Sequence, residues 1–518
     1  MRKLRPYILS LIYFLVFIAL FDTSYLTYKH FFEPYAQCSL GLFGDCGAVL
    51  KSQYSVLFGI PLAMLGLVHY IYLGLLVQAV RTMGDMFYKR LLFIQSAIGF
   101  VLSIYFAYLQ FFIIKSLCQY CLLSALISFA LYFFIRAQYE QDYRIFILEK
   151  IGFIYKLIGK PLFFLLPAEW VHEQAMWWGK KMGSFSRIYL FFSKIFSYQY
   201  PSLQQKRANI SFQNPIGLSA GYDYEASFPH ILPSFGFGFE TIGTISNLPF
   251  EGNKKPRLGR LAESKSLLVN KGFRNPGADS IIQRMTGVSF SFPLGISIGR
   301  TNSSKIAGTQ KKAVADVVQA FEKFLSSRVK NSYYELNISC PNLKSRISFY
   351  PPNNLKKLLH ALDKLTISKP VFVKMPIDKS DREVRLMLKE IVKHRWIKGV
   401  IFGNLQKDRK DPSFVPSEIK QAGKGNFSGK PTYRRSNELI RLAYRTYGKK
   451  LIIIGCGGVF NAEDAYRKIR LGASLIQMIT GMIFEGPQVM AQINHDLAKL
   501  IKQDGYQNIQ EAVGVDSL

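Results

Sequence analysis

A chain of 518 residues is longer than one hydrophobic core usually organises, so at least two domains are expected. Its 66 basic and 34 acidic residues leave a net charge of +32, which points to nucleic acid, an anionic membrane surface or an anionic substrate. No zinc-finger spacing or aromatic RNA-binding signature accompanies the charge, and 14% aromatic residues is high for a soluble protein. Nucleic acid is therefore set aside in favour of basic loops beside membrane spans.

Four apolar stretches crowd into the first 136 residues, at about 7–26, 55–80, 91–114 and 117–135. Each approaches or exceeds the roughly 20 residues that cross a hydrocarbon layer. The first is too long for a cleaved signal peptide, and further spans follow it. Arg2, Lys3 and Arg5 precede the first span, Arg81, Lys89 and Arg90 separate the second and third, and Arg136 and Arg144 follow the fourth. All fall on one side, which the positive-inside rule makes cytoplasmic. Everything after residue 136 is then expected in the cytoplasm, and residues 29–54 outside.

Four of the six cysteines gather on that outer side. Cys38 and Cys46 lie in the first outward loop, made pliable by Gly41, Gly44 and Gly47, and Cys118-Gln-Tyr-Cys121 opens the fourth helix. A thiol at a helix N-terminus is favoured as thiolate by the helix dipole, and disulfides persist on the oxidising side of a membrane. A static clamp would use the same residues. The arrangement over about residues 8–136 resembles the vitamin K epoxide reductase family, as does Tyr54-Ser-Val-Leu-Phe-Gly-Ile-Pro-Leu-Ala63 at the second helix. The resemblance implies that Cys118 and Cys121 are a redox pair beside a quinone. It also implies that Cys38 and Cys46 bring in electrons from an extracytoplasmic thiol protein of thioredoxin fold. One departure is Ala125, where that family often has tyrosine.

Residues 137–210 mix bulky apolar residues at helical spacing with Lys and Arg, as in helices that lie in a membrane interface. Ordinary helices packed on a neighbouring domain share that pattern. The segment Pro161-Leu-Phe-Phe-Leu-Leu-Pro-Ala-Glu-Trp-Val-His172 resembles the entry of class 2, membrane-bound dihydroorotate dehydrogenases. There, two amphipathic helices form a quinone tunnel, with a histidine at the position of His172.

From about residue 214, short β-rich runs alternate with helical stretches. Eight are read: 216–219, 240–243, 294–298, 333–338, 371–374, 399–402, 451–455 and 475–479. Eight such units predict a TIM (β/α)8 barrel, whose active site lies at the C-terminal strand ends. Those ends carry Ala220-Gly221-Tyr222-Asp223, Thr244, Asn337-Ile-Ser-Cys340-Pro-Asn342, Lys374, Gly403-Asn404, Gly455-Cys-Gly-Gly458 and Thr480-Gly481. Glycines after the seventh and eighth strands let the backbone approach a phosphate. Lys374 would stabilise negative charge on a reduced flavin. Cys340, between two asparagines, is a candidate general base, although a free cysteine is more often inert and buried. Cys456, between an apolar strand and glycines, reads as structural.

These strand ends are similar to those of the dihydroorotate dehydrogenase family over about residues 155–500. Asn253-Lys-Lys-Pro-Arg-Leu-Gly-Arg-Leu261 and Gly425-Asn-Phe-Ser-Gly-Lys-Pro431 share its order and spacing. The resemblance implies FMN held by Ala220, Gly221, Thr244, Ser297, Asn337, Lys374, Gly403, Gly429, Gly458, Ile479 and Thr480. It implies dihydroorotate bound at Asn270, Gly272, Phe273, Asn337, Asn342, Asn404 and Leu405, with Cys340 as base. Quinone, ubiquinone or menaquinone, would arrive past His172 and Arg260.

Several positions depart from the family. Cysteine at 340 is the choice of soluble relatives, where membrane-bound ones have serine. Tyr224 stands in place of a lysine that touches substrate and flavin, Leu405 in place of a threonine, and Ser297 in place of an asparagine. The loop Asn270-Lys-Gly-Phe-Arg-Asn275 is one residue short, with Arg274 in place of an asparagine.

The expected division is a four-helix transmembrane bundle at 1–136, amphipathic helices at 137–210, the barrel at 211–502 and a tail at 503–518. No metal site is expected. The expected function is quinone-linked dihydroorotate oxidation at a bacterial inner membrane, joined to thiol oxidation. A flavin dehydrogenase for another small substrate, or a disulfide-forming protein with a degenerate barrel, would also fit.

Overall fold

The computed structural model describes residues 5–32, 46–306, 308–344 and 347–517, which divide into two compact units, Met1–Ile147 and Leu148–Leu518. In the first unit, four helices are long and apolar enough to cross a bilayer: α1 (Arg5–Phe32), α2 (Leu62–Met83), α3 (Met86–Tyr108, continued to Ile114) and α4 (Gln119–Gln138). A hydrocarbon layer forces backbone groups to bond within their own helix, so uninterrupted apolar runs become helices. Between α2 and α3 the chain turns at Gly84, in the left-handed region, and the Asp85 carboxylate accepts from the Phe87 N–H to start α3. Ile12, Val16, Leu73, Val77, Phe93 and Leu131 form the bundle core. Outward-facing Phe14, Phe17, Val101 and Leu126 are exposed, as a lipid-facing surface requires.

Helix α5 (Glu140–Ile154) carries the chain into the second unit. Three further helices follow: α6 (Lys160–Leu165), α7 (Ala168–Gly183) and α8 (Ser186–Phe196). The chain bends by 116° where α6 meets α7, at Leu166-Pro167. One face of α7 and α8 packs on the barrel. Gly179 faces Phe228, and Phe192 and Phe196 stack on Phe235 with centroids 4.9 and 5.2 Å apart. The other face leaves Trp170, Trp177, Trp178, Leu190 and Phe191 exposed.

The barrel is closed by eight parallel strands in chain order: β1 (Ile216–Leu218), β2 (Phe239–Ile245), β3 (Leu294–Ile298), β4 (Tyr333–Asn337), β5 (Val371–Met375), β6 (Ile397–Phe402), β7 (Ile452–Cys456) and β8 (Leu475–Met478). Their β-branched and aromatic residues are almost all buried, as in parallel strands covered on both faces. A hairpin, Gln205–Arg207 with Ile210–Phe212, brings Phe212 to the N-terminal strand ends. There it packs with Phe239, Tyr333, Phe372 and Leu475. That end is plugged, which leaves the C-terminal end as the open mouth.

Above the mouth lies a three-stranded antiparallel sheet, Leu258–Leu261, Ser266–Val269 and Asn426–Phe427. The segment set apart in sequence as a tail, 503–518, is packed down over its described residues. The Ile509 N–H donates to the Ser202 carbonyl at 2.8 Å, and Asp516 pairs with Arg470 at 2.8 Å.

Candidate active site

One wall of the mouth is largely backbone. Ala220 after β1, Gly403, Asn404 and Leu405 after β6, Cys456 and Gly458 at β7, and Ile479 and Thr480 after β8 line one cavity with Lys374 and Gly429. A Cβ on Gly403 would sit 1.9 Å from the Cys456 carbonyl oxygen, and one on Gly458 would sit 2.5 Å from the Tyr433 Cβ. Both glycines also have positive φ, so the turns close only because these residues lack side chains. The Ser428 and Thr480 hydroxyls meet at 2.8 Å across this wall, and a Cβ on Gly221 would stand 3.8 Å from Ile479. Cys456, read as structural, places its Sγ 3.7 Å from the Ser219 hydroxyl in the cavity wall.

A buried polar chain lies beneath this wall. The Lys374 ammonium donates to the Ser219 Oγ at 2.9 Å and stands 3.8 Å from the Glu335 carboxylate. Ser297 donates to Glu335 at 2.7 Å and meets the Thr244 hydroxyl at 2.9 Å, and Asn337 Nδ2 donates to Thr244 at 2.8 Å. Strand register creates the group. Asn337 is the β-ladder partner of Lys374, and Glu335, two residues earlier on β4, partners Ser297 on β3. Glu335 and Ser219 were not singled out from sequence. The signal for Glu335 was a charged residue inside a strand, and that for Ser219 a hydroxyl directly after the apolar run of β1.

The opposite wall is built from side chains. Ser339 Oγ donates to Asn337 Oδ1 at 3.0 Å and is itself hydrogen-bonded by Asn404, tying the loop after β4 to the one after β6. Cys340 lines a second cavity with Arg300, Asn337, Tyr350 and Lys407. Burial pushes its thiol up to about 11, while Arg300, Lys374 and Lys407 pull the other way. Asn342 donates to the Val269 carbonyl at 2.9 Å and accepts from Asn426 at 2.6 Å. Asn253 donates to the Asn342 carbonyl at 2.9 Å and to Asn270 Oδ1 at 3.1 Å, so two of the candidate asparagines share one network.

Asn302 donates to the Gly272 carbonyl at 3.0 Å, and the neighbouring Phe273, at φ 65°, directs its ring toward Gly299 and Thr244. In the loop after β1 that carries Tyr224, the Asp223 carboxylate fixes the turn by accepting from the Glu225 and Phe228 N–H groups at 2.9 and 2.8 Å. Burial pushes the Tyr224 phenol up, with the nearby Cys340 adding to it.

At the capping helices, His172 on α7 stands edge-on to Tyr222 at 4.9 Å. Burial, reinforced by Lys271 and Arg274, holds His172 well below the usual histidine range and therefore neutral. Arg260 donates to the Leu166 carbonyl at 2.7 Å and covers the Phe164 ring at 4.9 Å.

In the first unit, Cys118 caps α4, accepting at its sulfur from the Cys121 N–H at 3.4 Å, and both thiols are free. Cys121 lines an apolar cavity with Leu62, His69, Gln95 and Ala125. Tyr70 from α2 enters the same cavity, its hydroxyl 2.7 Å from that of Ser128 and 3.0 Å from that of Ser124. A tyrosine is thus present there although position 125 is alanine. Cys46 is disulfide-bonded, and Cys38 lies outside the described residues.

The profile of the dihydroorotate dehydrogenase family matches residues 202–501, and that of the vitamin K epoxide reductase family matches residues 10–135. The chain is 31% identical over 386 residues to a dihydroorotate dehydrogenase (quinone) of Trichodesmium erythraeum, covering 70% of this chain and 98% of that one. It is 33% identical over 316 residues to another of Natronomonas pharaonis, covering 61% and 86%. A crystal structure of ligand-free DHODH from Eimeria tenella superposes with a TM-score of 0.59 at 26% identity, covering 68% of this chain and 99% of that one. The chain is therefore an oxidoreductase of the dihydroorotate dehydrogenase family, preceded in the same polypeptide by a membrane domain of the vitamin K epoxide reductase family.

Proposed function

We propose that the barrel oxidises dihydroorotate to orotate on FMN and delivers the electrons to a membrane quinone, ubiquinone or menaquinone. The main support is the convergence of Lys374, Asn337, Asn404 and Cys340 on one mouth. A flavin mononucleotide fits that mouth. Cradles at Gly403 and Gly458 with no room for a Cβ suit close backbone approach, and the buried ammonium of Lys374 suits a ring that gains negative charge. Ala220, Gly221, Gly429, Ile479 and Thr480 complete the cradle, while Thr244 and Ser297 hold Asn337 and Glu335 in place behind it.

FMN, held by these residues, would supply the acceptor for the C6 hydride of dihydroorotate and the two-electron link to quinone. Cys340, as thiolate, takes the C5 proton, and a C5–C6 double bond forms. Asn270, Asn342 and Asn404 present amides to the ring, with Gly272, Phe273 and Leu405 shaping its slot. The exposed Trp170, Trp177 and Trp178 of α7, with Leu190 and Phe191 of α8, seat the cap in the membrane interface, so that quinone enters beside His172 and Arg260.

For the first unit we infer thiol oxidation at Cys118 and Cys121 by quinone held in the apolar cavity. Cys38 and Cys46 receive electrons from an extracytoplasmic thioredoxin-fold protein. The basic residues flanking the spans support a bacterial inner-membrane protein with the barrel in the cytoplasm.

Anaerobic titration of the purified chain with dihydroorotate tests the barrel reading. Bound yellow flavin should bleach. Bleaching only by a different small acid would keep the flavin site and remove the substrate. For the thiol half, Cys121→Ser should stop quinone-dependent thiol oxidation and leave flavin bleaching intact.

A further inference from the structure

The substrate wall contains a buried cation with no role so far. Lys271 is 3% exposed, and its ammonium stands 4.8 Å from the centroid of the Tyr224 ring. Two carboxylates share its surroundings, and arginines engage both: Glu169 holds Arg257 at 2.7 Å, and Glu173 faces Arg274 at 3.4 Å. The pocket thus has three cations against two carboxylates, and among the described residues Lys271 has no ion pair. Burying an ammonium without a counter-ion is costly, so the arrangement calls for an anion from outside. Burial, with Arg274 beside it, already pulls the ammonium down to about 7.

Lys271 is also placed for substrate. Its carbonyl accepts from the Asn253 N–H at 3.2 Å, and the Asn253 side chain links Asn270 to Asn342. Tyr224, the ring beneath the ammonium, is within electrostatic reach of Cys340. In dihydroorotate the carboxylate is borne on C6, the neighbour of the C5 that loses its proton, so a carboxylate-binding cation belongs close to the base. The electron-rich face of Tyr224 stabilises the ammonium without neutralising it, leaving its charge available.

We propose that Lys271, seated on Tyr224, binds the carboxylate of dihydroorotate and orotate and thereby selects an anionic ring over a neutral one. The assignment rests on the dihydroorotate reading above. A purely structural lysine here would pair with Glu169 or Glu173.

The test is titration of the flavin-loaded chain with orotate and with orotate methyl ester, followed by flavin absorbance. Lys271→Met should weaken orotate binding about 100-fold and leave the ester unchanged. Lys271→Arg should keep orotate within about tenfold of the original. Unchanged orotate binding by Lys271→Met would overturn the assignment, as would an equal loss for both ligands, which marks a collapsed loop. If the unsubstituted chain binds no orotate, the dihydroorotate reading itself falls, and the assignment with it.

Discussion

On one side of the barrel mouth the cavity is bounded by backbone at Gly403, Gly429 and Gly458, with strand β5 adding Lys374. On the other side, Asn253, Asn270, Asn342, Tyr224 and Lys271 meet through their side chains. The difference explains where the family resemblance holds. A backbone turn admits one residue type at each tight position, so its glycines are retained. A side-chain pocket can reach the same charge balance by moving a cation from one loop to another. Tyr224 and Lys271 are 47 positions apart, yet they share one contact. The backbone wall therefore keeps the glycines of the family pattern, whereas Tyr224 and Arg274 on the side-chain wall depart from it.

The comparison can be broken most decisively at Cys340. Cys340→Ala should slow flavin bleaching by dihydroorotate about 10²–10⁴-fold, whereas Cys340→Ser retains part of the rate. Equal rates in the two variants, by stopped-flow absorbance, would remove Cys340 from the chemistry. On the flavin wall, Lys374→Met should lower the bleaching rate about 10²–10³-fold while flavin stays bound. Flavin loss there would recast Lys374 as a binding group.

Gly458→Val tests the backbone claim itself. At φ 70° and with Tyr433 at 2.5 Å, a side chain forces the turn to shift. FMN should be held about tenfold more weakly or worse, measured by fluorescence of released flavin. Unaltered FMN binding would mean that the wall tolerates side chains.

The smallest effect is one of shape, in the pH profile of kcat/KM. Cys340, among Arg300, Lys374 and Lys407, must lose its proton and titrates at about 11. Lys271, among Arg257, Arg274, Glu169 and Glu173, must keep its proton and titrates at about 7. Below about 7 the ammonium is fully charged, so kcat/KM rises tenfold per unit with the thiolate fraction. Between about 7 and 11 the thiolate gains what the ammonium loses, and the profile is flat. Lys271→Met should turn that plateau into a continued rise. A plateau that persists in the variant would dissociate Lys271 from binding.

Much of this was legible from sequence. All eight strands were read within two residues of their observed ends, because short β-rich runs and the turn residues that bound them are local signals. Lys374, Asn337 and the glycine turns were legible because each sits at a strand end. Glu335 was not, since a polar residue inside a strand acquires a partner only when strands come into register, and Ser219 at the end of β1 was passed over because its partner Lys374 lies 155 positions away. Tyr224 was noticed as a departure, but nothing in the sequence pairs it with Lys271.

The sequence by itself determined the four spans, the eight βα units and the strand-end groups, all of which follow from periodicities carried by neighbouring residues. Only the tertiary structure decided that Glu335 lies beside Lys374 and that Lys271 rests on Tyr224. It also decided that Tyr70 of α2 enters the cavity beside Cys121. Those contacts join residues distant in the chain, and side-chain charges and hydrogen bonds act over a few ångströms in space whatever their separation in sequence.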